Sequence, residues 1–201
     1  MDLQISVFLQ FILFTAGHSL RCYECKSMTG SCAGQTVKTC PSGSSQCMSN
    51  KAVTQISGIA SKVYVKDCAP ASCQSMSMNI NILKMTTSCC NTNQCNVQDG
   101  PDPSTNVPNG KTCFSCDGES CSNILSCSGN EDHCIEATGA FGGQPMVVKG
   151  CVSKSICDAT LLVPNVEGIS CCEGNLCNGV QSVTQSFLFL CCSLLFYFLL
   201  H

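Results

Sequence analysis

Residues 89–96 read CCNTNQCN, and residues 171–178 read CCEGNLCN. Both octets are Cys-Cys-x4-Cys-Asn, and working back from each recovers the same ordered set of ten cysteines. The first set is Cys22, Cys25, Cys32, Cys40, Cys47, Cys68, Cys73, Cys89, Cys90 and Cys95, followed by Asn96. The second is Cys113, Cys116, Cys121, Cys127, Cys134, Cys151, Cys157, Cys171, Cys172 and Cys177, followed by Asn178. A cysteine order repeated in this way reports two copies of one small domain. Only Cys191 and Cys192, of 22 cysteines in 201 residues, lie outside the copies.

Domains of this size bury a modest core and need covalent staples. Tryptophan is absent and aromatics make up 6% of the chain, so apolar burial alone is a poor candidate for holding either copy. Disulfides can supply the deficit: closing a loop of roughly 25 residues contributes about 3 kcal/mol in the chain-entropy account. Cysteine at this density also implies an oxidising compartment.

The two ends agree with export. Residues 5–16 form a short apolar run, followed by the small residues Gly17 and Ser19, which reads as a secretory signal peptide over residues 1–19. The n-region departs from the usual pattern in carrying Asp2 and no Lys or Arg. The competing reading is an N-terminal membrane anchor, but the run is shorter than the ~20 residues a span requires. At the other end, residues 187–200 (FLFLCCSLLFYFLL) are apolar and follow the polar spacer 181–186. A tail of this kind signals a glycosylphosphatidylinositol (GPI) anchor, with residues 179–201 as the signal removed and Asn178, Gly179 or Ser182 as attachment candidates. A short tail anchor with Cys191 and Cys192 palmitoylated is the alternative.

Between the ends the chain divides into residues 20–97, a linker at 98–110 (QDGPDPSTNVPNG) and residues 111–178. The linker's three prolines and two glycines predict an extended, solvated segment. Residues 46–56 and 60–67 flank Ser57-Gly58 as a long hairpin, and 133–140 and 145–149 flank residues 141–144 in the corresponding place. Residues 79–87 and 158–163 are strand candidates ahead of each Cys-Cys pair, and no helical period stands out, so the fold class expected is all-β. Charge splits between the copies. Residues 20–97 hold seven basic and two acidic side chains, net +5; residues 111–178 hold three and eight, net −5. That asymmetry either draws the domains together, presents a bipolar surface to partners, or reflects two independently solvated surfaces.

Cys-x2-Cys near the start of each copy, five cysteines up to the strand that opens the central hairpin, and Cys-Cys-x4-Cys-Asn at the end resemble the three-finger family. Its members include the lymphocyte-antigen-6 proteins, the urokinase receptor and the snake neurotoxins. The resemblance covers residues 20–178 twice over. It implies two tandem three-finger domains with disulfides Cys22–Cys47, Cys25–Cys32, Cys40–Cys68, Cys73–Cys89 and Cys90–Cys95 in the first. In the second it implies Cys113–Cys134, Cys116–Cys121, Cys127–Cys151, Cys157–Cys171 and Cys172–Cys177. It further implies that Asn96 and Asn178 hydrogen-bond backbone in the disulfide-rich palm. Among two-domain members, residues 79–82 (NINI) and 108–110 (PNG) are similar to segments of gamma-type phospholipase A2 inhibitors and fish urokinase-receptor-like proteins. The urokinase receptor has three domains and its first lacks one family disulfide, whereas both copies here are complete, so urokinase binding is not implied.

Little chemistry is left over. Cys22-x2-Cys25 and Cys113-x2-Cys116 have zinc or redox spacing in isolation, but within an even exported set of ten they read as halves of disulfides. The mature chain keeps one histidine, His133, expected as an exposed strand-edge residue and too isolated for a catalytic triad. Met76, Met78 and Met85 read as core filling, or as an adaptable contact surface. Neither a cofactor nor a metal nor nucleic acid is expected. The function expected is non-catalytic binding of an extracellular protein at a cell surface. Membrane attachment would be through GPI lipid, and the contacts would lie at the central finger tips: Ile56, Ser57, Gly58 and Ile59, and Phe141, Gly142, Gly143 and Gln144. The alternative is a secreted inhibitor of phospholipase A2.

Overall fold

The computed structural model describes residues 19–28, 30–56, 58–141, 144–159 and 166–179. Strong β-formers between cysteines give three hairpin fingers in the first domain. They are β1 (Arg21–Ser27) with β2 (Thr36–Thr39), β3 (Ser44–Ile56) with β4 (Ile59–Pro70), and β5 (Met76–Asn79) with β6 (Leu83–Cys90). A single 3-10 turn, Cys95–Val97, closes the domain. The second domain repeats the plan with β7 (Pro108–Ser115) and β8 (Asn123–Ser128), then β9 (His133–Phe141) and β10 (Gln144–Val152). Its third finger is α1 (Lys154–Ala159) leading to β11 (Val166–Glu173). Among the described residues the fold is all-β apart from that helical turn and a half and the 3-10 turn.

The hearts of the domains are sulfur. Cys22, Cys40 and Cys47 are buried with Leu20, Cys68, Cys90 and Cys95 around them. Cys113, Cys127, Cys134 and Cys151 are buried with Leu125, Cys172 and Cys177 against them. No large aliphatic core exists among the described residues of either palm, which is why covalent loop closure has to carry so much of the stability.

Three segments differ from the sequence expectation. Residues 79–87 are not one strand: the chain turns at Asn81, whose φ of 70° lies in the left-handed region. Asn79 Oδ1 accepts the Asn81 N–H at 3.2 Å and fixes that turn, the local chemistry that suits asparagine to such a position. Residues 154–159 form a helix where residues from 158 onward were expected to be strand. Ser153 precedes it, the Ser153 carbonyl accepts from Ile156 N, and Asp132 Oδ1 caps the Lys154 N–H at 2.8 Å. Six residues are too few for periodicity to reveal. Residues 160–165 lie outside the described residues.

The linker is also not solvated throughout. It crosses one face of the first domain as a strap. Asp102 meets Lys51 Nζ at 2.6 Å, and Asp99 meets Lys66 Nζ at 3.0 Å. The Pro101 carbonyl accepts from Thr86 Oγ1, the Gln98 carbonyl from Ser49 Oγ, and Gly100 packs on the Ser49 backbone. Two buried lysines needed anions, and the linker supplies them.

Nine of the eleven strands form one sheet, ordered β11-β9-β10-β5-β6-β3-β4-β1-β2, while β7 and β8 pair separately. The domains therefore do not hang as beads on a string. They join where β10 pairs antiparallel with β5, Cys151 opposite Asn79 and Val152 opposite Met78.

Candidate functional site

The ten disulfides of the structure are Cys22–Cys47, Cys25–Cys32, Cys40–Cys68, Cys73–Cys89, Cys90–Cys95, Cys113–Cys134, Cys116–Cys121, Cys127–Cys151, Cys157–Cys171 and Cys172–Cys177. Two triplets of sulfur, Cys22/Cys40/Cys68 and Cys113/Cys127/Cys151, buried except for the half-buried Cys68, sit within 4.8 Å of one another. All six atoms belong to disulfides, and a metal needs thiolates.

Asn96 and Asn178 occupy equivalent places in the two palms. Asn96 Oδ1 accepts the Tyr23 N–H at 2.9 Å, and its Nδ2 donates to the carbonyls of Tyr23 and Met48. Asn178 does the same for Phe114 N–H and the carbonyls of Phe114 and Ile135. One short amide thus ties the first strand of each domain to its central finger.

A second repeated device was missed in the sequence. Lys66 and Lys149 each stand two residues before a cysteine, in Lys-Asp-Cys and Lys-Gly-Cys, and both are buried. Lys66 Nζ donates to the Val97 carbonyl at 2.7 Å and Lys149 Nζ to the Asn178 carbonyl at 2.7 Å. The counter-ions are Asp99 and Glu136 respectively. Aligning the copies on their cysteines would have exposed this lysine.

His133, expected at an exposed edge, is buried. Its Nδ1 lies 2.9 Å from Asp132 and its Nε2 3.2 Å from Glu173, which faces it across the β9–β11 pair. For Asp132, burial pushes the carboxyl up, but the His133 hydrogen bond and the capped Lys154 N–H outweigh it and leave it below its ordinary value.

The domain junction is knit by serines around a buried acid. Ser153 N donates to the Ser77 carbonyl at 2.9 Å, and Ser77 N to Ser153 Oγ at 3.1 Å. Glu131, 1% exposed, accepts from Ser77 Oγ on one oxygen and from Ser128 N and Oγ on the other. Burial holds this carboxyl above its ordinary value, against those hydrogen bonds and the field of Lys84. Met76 and Met78 pack there against Val152, Ile156 and Ile135. Their contact partner is thus the chain's own second domain. No ion pair crosses from one domain to the other among the described residues, so the +5 and −5 halves are not held together by salt bridges.

Beside the junction lies a groove of about 370 Å³. Its walls are the finger-three tip of the first domain, the loop from Cys116 to Cys121, and the start of β10. Ile82, Met146 and Val147 line it and are each about two-fifths exposed. Asp117 organises the loop by accepting from Ser120 N, Glu119 N and Asn123 Nδ2, which hold its carboxyl below the ordinary range. Apolar surface framed by a few fixed polar groups is the usual character of a binding groove.

The expected finger-tip contacts divide. Gly58, at φ +81°, makes the turn of the first central finger and puts Ile59 three-quarters into solvent. Ile56 pairs with Ile59, and Phe141 with Gln144, at the ends of their hairpins. Ser57, Gly142 and Gly143, and the side chains of Ile56, Phe141 and Gln144, lie outside the described residues. So do residues 1–18, Ser182 and the C-terminal tail. Of the anchor candidates, Asn178 is buried and Gly179 packs against Phe114.

Disulfide-cored palms, three fingers each and a repeated Asn lock define a tandem three-finger protein. Residues 18–98 match the u-PAR/Ly-6 domain family, and residues 112–178 match the snake toxin and toxin-like protein family. The first domain is thus of the u-PAR/Ly-6 type and the second of the toxin-like type, both three-finger domains. The urokinase plasminogen activator surface receptor of rat is 30% identical over 186 residues, 82% of this chain and 56% of the receptor. The bovine receptor is 32% identical over 103 residues, 45% of this chain and 31% of its own length. The chain thus spans about half the length of the rat receptor. The crystal structure of mouse TEX101 aligns with 78% of this chain and 99% of its own, at 14% identity and a TM-score of 0.34. So loose a superposition carries no domain arrangement from one to the other. Among the described residues no helix is long and apolar enough to cross a membrane.

Proposed function

We propose that this protein is a non-catalytic, receptor-like binder of an extracellular protein, displayed at the cell surface on a GPI lipid. The observation that carries the reading is the apolar groove at the junction of two rigid, disulfide-cored domains, with its acidic loop and exposed aliphatic side chains. The likeness to surface receptors over 82% of the chain supports it. So do the sequence signals for a leader at residues 1–19 and for an anchor signal after the second domain. An anchor amide formed at Asn178 would act on the carbonyl that Lys149 holds, one residue past the last disulfide. Ser182 would leave that contact intact, but only residues 183–186 of the polar spacer would then separate it from the apolar tail.

The test uses cells displaying the full chain. Phosphatidylinositol-specific phospholipase C should release it, and the released protein should capture a saturable partner from extracellular fluid. Alanine replacement of Gly58-Ile59 and of Gly142-Gly143 tests whether the finger tips take part. Retention on the membrane after effective lipase treatment would refute the anchor. Loss of phospholipase A2 activity on mixing with the released protein, without any cell-bound partner, would favour the secreted-inhibitor reading.

A further inference from the structure

In the first domain the outer edge of β4 is covered. β1 pairs with it, Cys25 opposite Lys66, Lys26 opposite Val65 and Ser27 opposite Tyr64. Counting from the shared cysteines, the same three positions of β10 are Lys149, Val148 and Val147. Their counterparts from finger one would be Cys116, Asp117 and Gly118. In the second domain that pairing is not made: β7 ends at Ser115 and pairs only with β8. The disulfide-closed loop is shorter, with a sequence separation of 5 for Cys116–Cys121 against 7 for Cys25–Cys32.

Nor does the first domain fill the gap. β5 pairs with β10 only at Cys151 and Val152. It then leaves the edge at Gly150, where a Cβ would stand 2.2 Å from the Asn79 carbonyl oxygen. Over residues 145–149 β10 therefore keeps β9 on one side and, among the described residues, has no strand on the other. This open edge is one wall of the groove, with Ile82 on the opposite side and the acidic loop beside it.

Strand alternation says which groups the edge presents. Ser153 N points to β5, so Cys151, Lys149 and Val147 direct their N–H and C=O groups to that same side. Unpaired edge groups flanked by apolar side chains are a template for an added strand. The charge nearby selects the visitor. Asp117 and Glu119 have no cationic partner among the described residues, and Lys149 is already taken by Glu136 and the Asn178 carbonyl.

We infer that this groove binds an extended segment of a partner protein, which adds as a strand to the open edge of β10 and carries a Lys or Arg among aliphatic residues. The inference rests on the receptor-like reading and supplies its recognition mode: main-chain hydrogen bonds at Val147 and Lys149, aliphatic contacts with Ile82 and Met146, and a cation near Glu119.

The probe is a fluorescent pentapeptide, Val-Lys-Ile-Arg-Val, titrated on cells displaying the full chain. Its controls are the acidic Val-Glu-Ile-Asp-Val and a copy of the basic peptide N-methylated at alternate amides. The basic peptide should bind saturably and at least tenfold more tightly than either control. Val147→Pro removes one edge N–H that no strand uses, a position where proline is tolerated, and should abolish the difference. Glu119→Lys, on an exposed loop, neutralises the loop because Asp117 remains; it should abolish the charge preference, and it keeps the test sharp should Val147→Pro fail to reach the surface. Equal binding of the basic and acidic peptides, undiminished binding of the N-methylated peptide, or no saturable binding would overturn the inference. A captured natural partner that Val147→Pro leaves bound would also overturn it, while leaving the receptor-like function standing.

Discussion

Replacing Asn96 or Asn178 by alanine probes both domains with one chemistry. Each side chain makes three hydrogen bonds of 2.9–3.0 Å to backbone groups, and each residue is about 4% exposed. Truncation leaves one N–H without its acceptor and takes a donor from each of two carbonyls, of which that of Ile135 still faces Gly150 across the β9–β10 ladder. Unmet buried groups cost about 1–3 kcal/mol each, and water entering the space vacated by the amide recovers part of that. The net loss should be about 3–5 kcal/mol in either domain, a large fraction of what a domain this size possesses. Asn178→Asp is harsher than its near-identical shape suggests, because it keeps the acceptor for Phe114 N–H but turns a carboxylate oxygen toward two carbonyls. The assay is guanidinium unfolding with disulfides intact, followed by circular dichroism, beside amide exchange at Tyr23 and Phe114. Exchange should accelerate at Tyr23 in the Asn96 variant and at Phe114 in the Asn178 variant. A loss under 1 kcal/mol in both, with protection unchanged, would refute the view that these amides lock the palm.

Gly150→Ala should weaken the junction by about 3 kcal/mol, since backbone atoms of Asn79 and Ile80 already occupy the Cβ position. Amide exchange at Ser77 and Ser153 reads it, and Gly34→Ala, with nothing within 4 Å, is the silent control. Glu131 gives the junction a pH dependence of defined sign. Its carboxyl is raised in the folded state, so its contribution is complete below the ordinary value near 4.5 and is lost as pH climbs through the raised value. Junction amides corrected for intrinsic rate should lose protection over that climb, and Glu131→Gln should flatten the profile; an unaltered slope counts against the assignment. Asp102 has the opposite sign. The Lys51 hydrogen bond holds it far below 3.8, so the strap stays shut until strongly acid pH. At neutral pH Asp102→Asn should open the linker to protease roughly tenfold faster, given that a charged hydrogen bond is worth about 1.5–3 kcal/mol. Unchanged cleavage would mean that the strap is held elsewhere.

The repeated octet carried the fold because cysteine order constrains topology more tightly than propensity does. Both central hairpins were equally plain, since Ser57-Gly58 and Gly142-Gly143 interrupt long β-forming runs. What escaped was what depends on contact between copies. Nothing at Ser77, Ser153 or Glu131 announces a junction, because a serine becomes informative only once its partner is known. Met76 and Met78 look alike whether they face a core, a ligand or a neighbouring domain. The linker prolines and glycines suggested an extended, solvated segment, and nothing in its sequence pairs Asp99 and Asp102 with particular lysines. They answer Lys51 and Lys66, whose burial the alternation of β3 and β4 alone does not disclose. The groove was invisible for a related reason: it exists because a pairing made in one copy is not made in the other.

Each disulfide closes within its own domain, and none spans the junction. Mechanically the molecule is two stiff blocks in series with one compliant joint. Tension applied between Gly179 and the first domain is shared between the covalent linker at 98–110 and the β5–β10 pairing with its serines. That joint is where the blocks can part without any disulfide breaking, because the contacts across it are hydrogen bonds and apolar packing. The groove beside it has a wall on each block, Ile82 on the first and β10 on the second, so its width follows any opening of that joint.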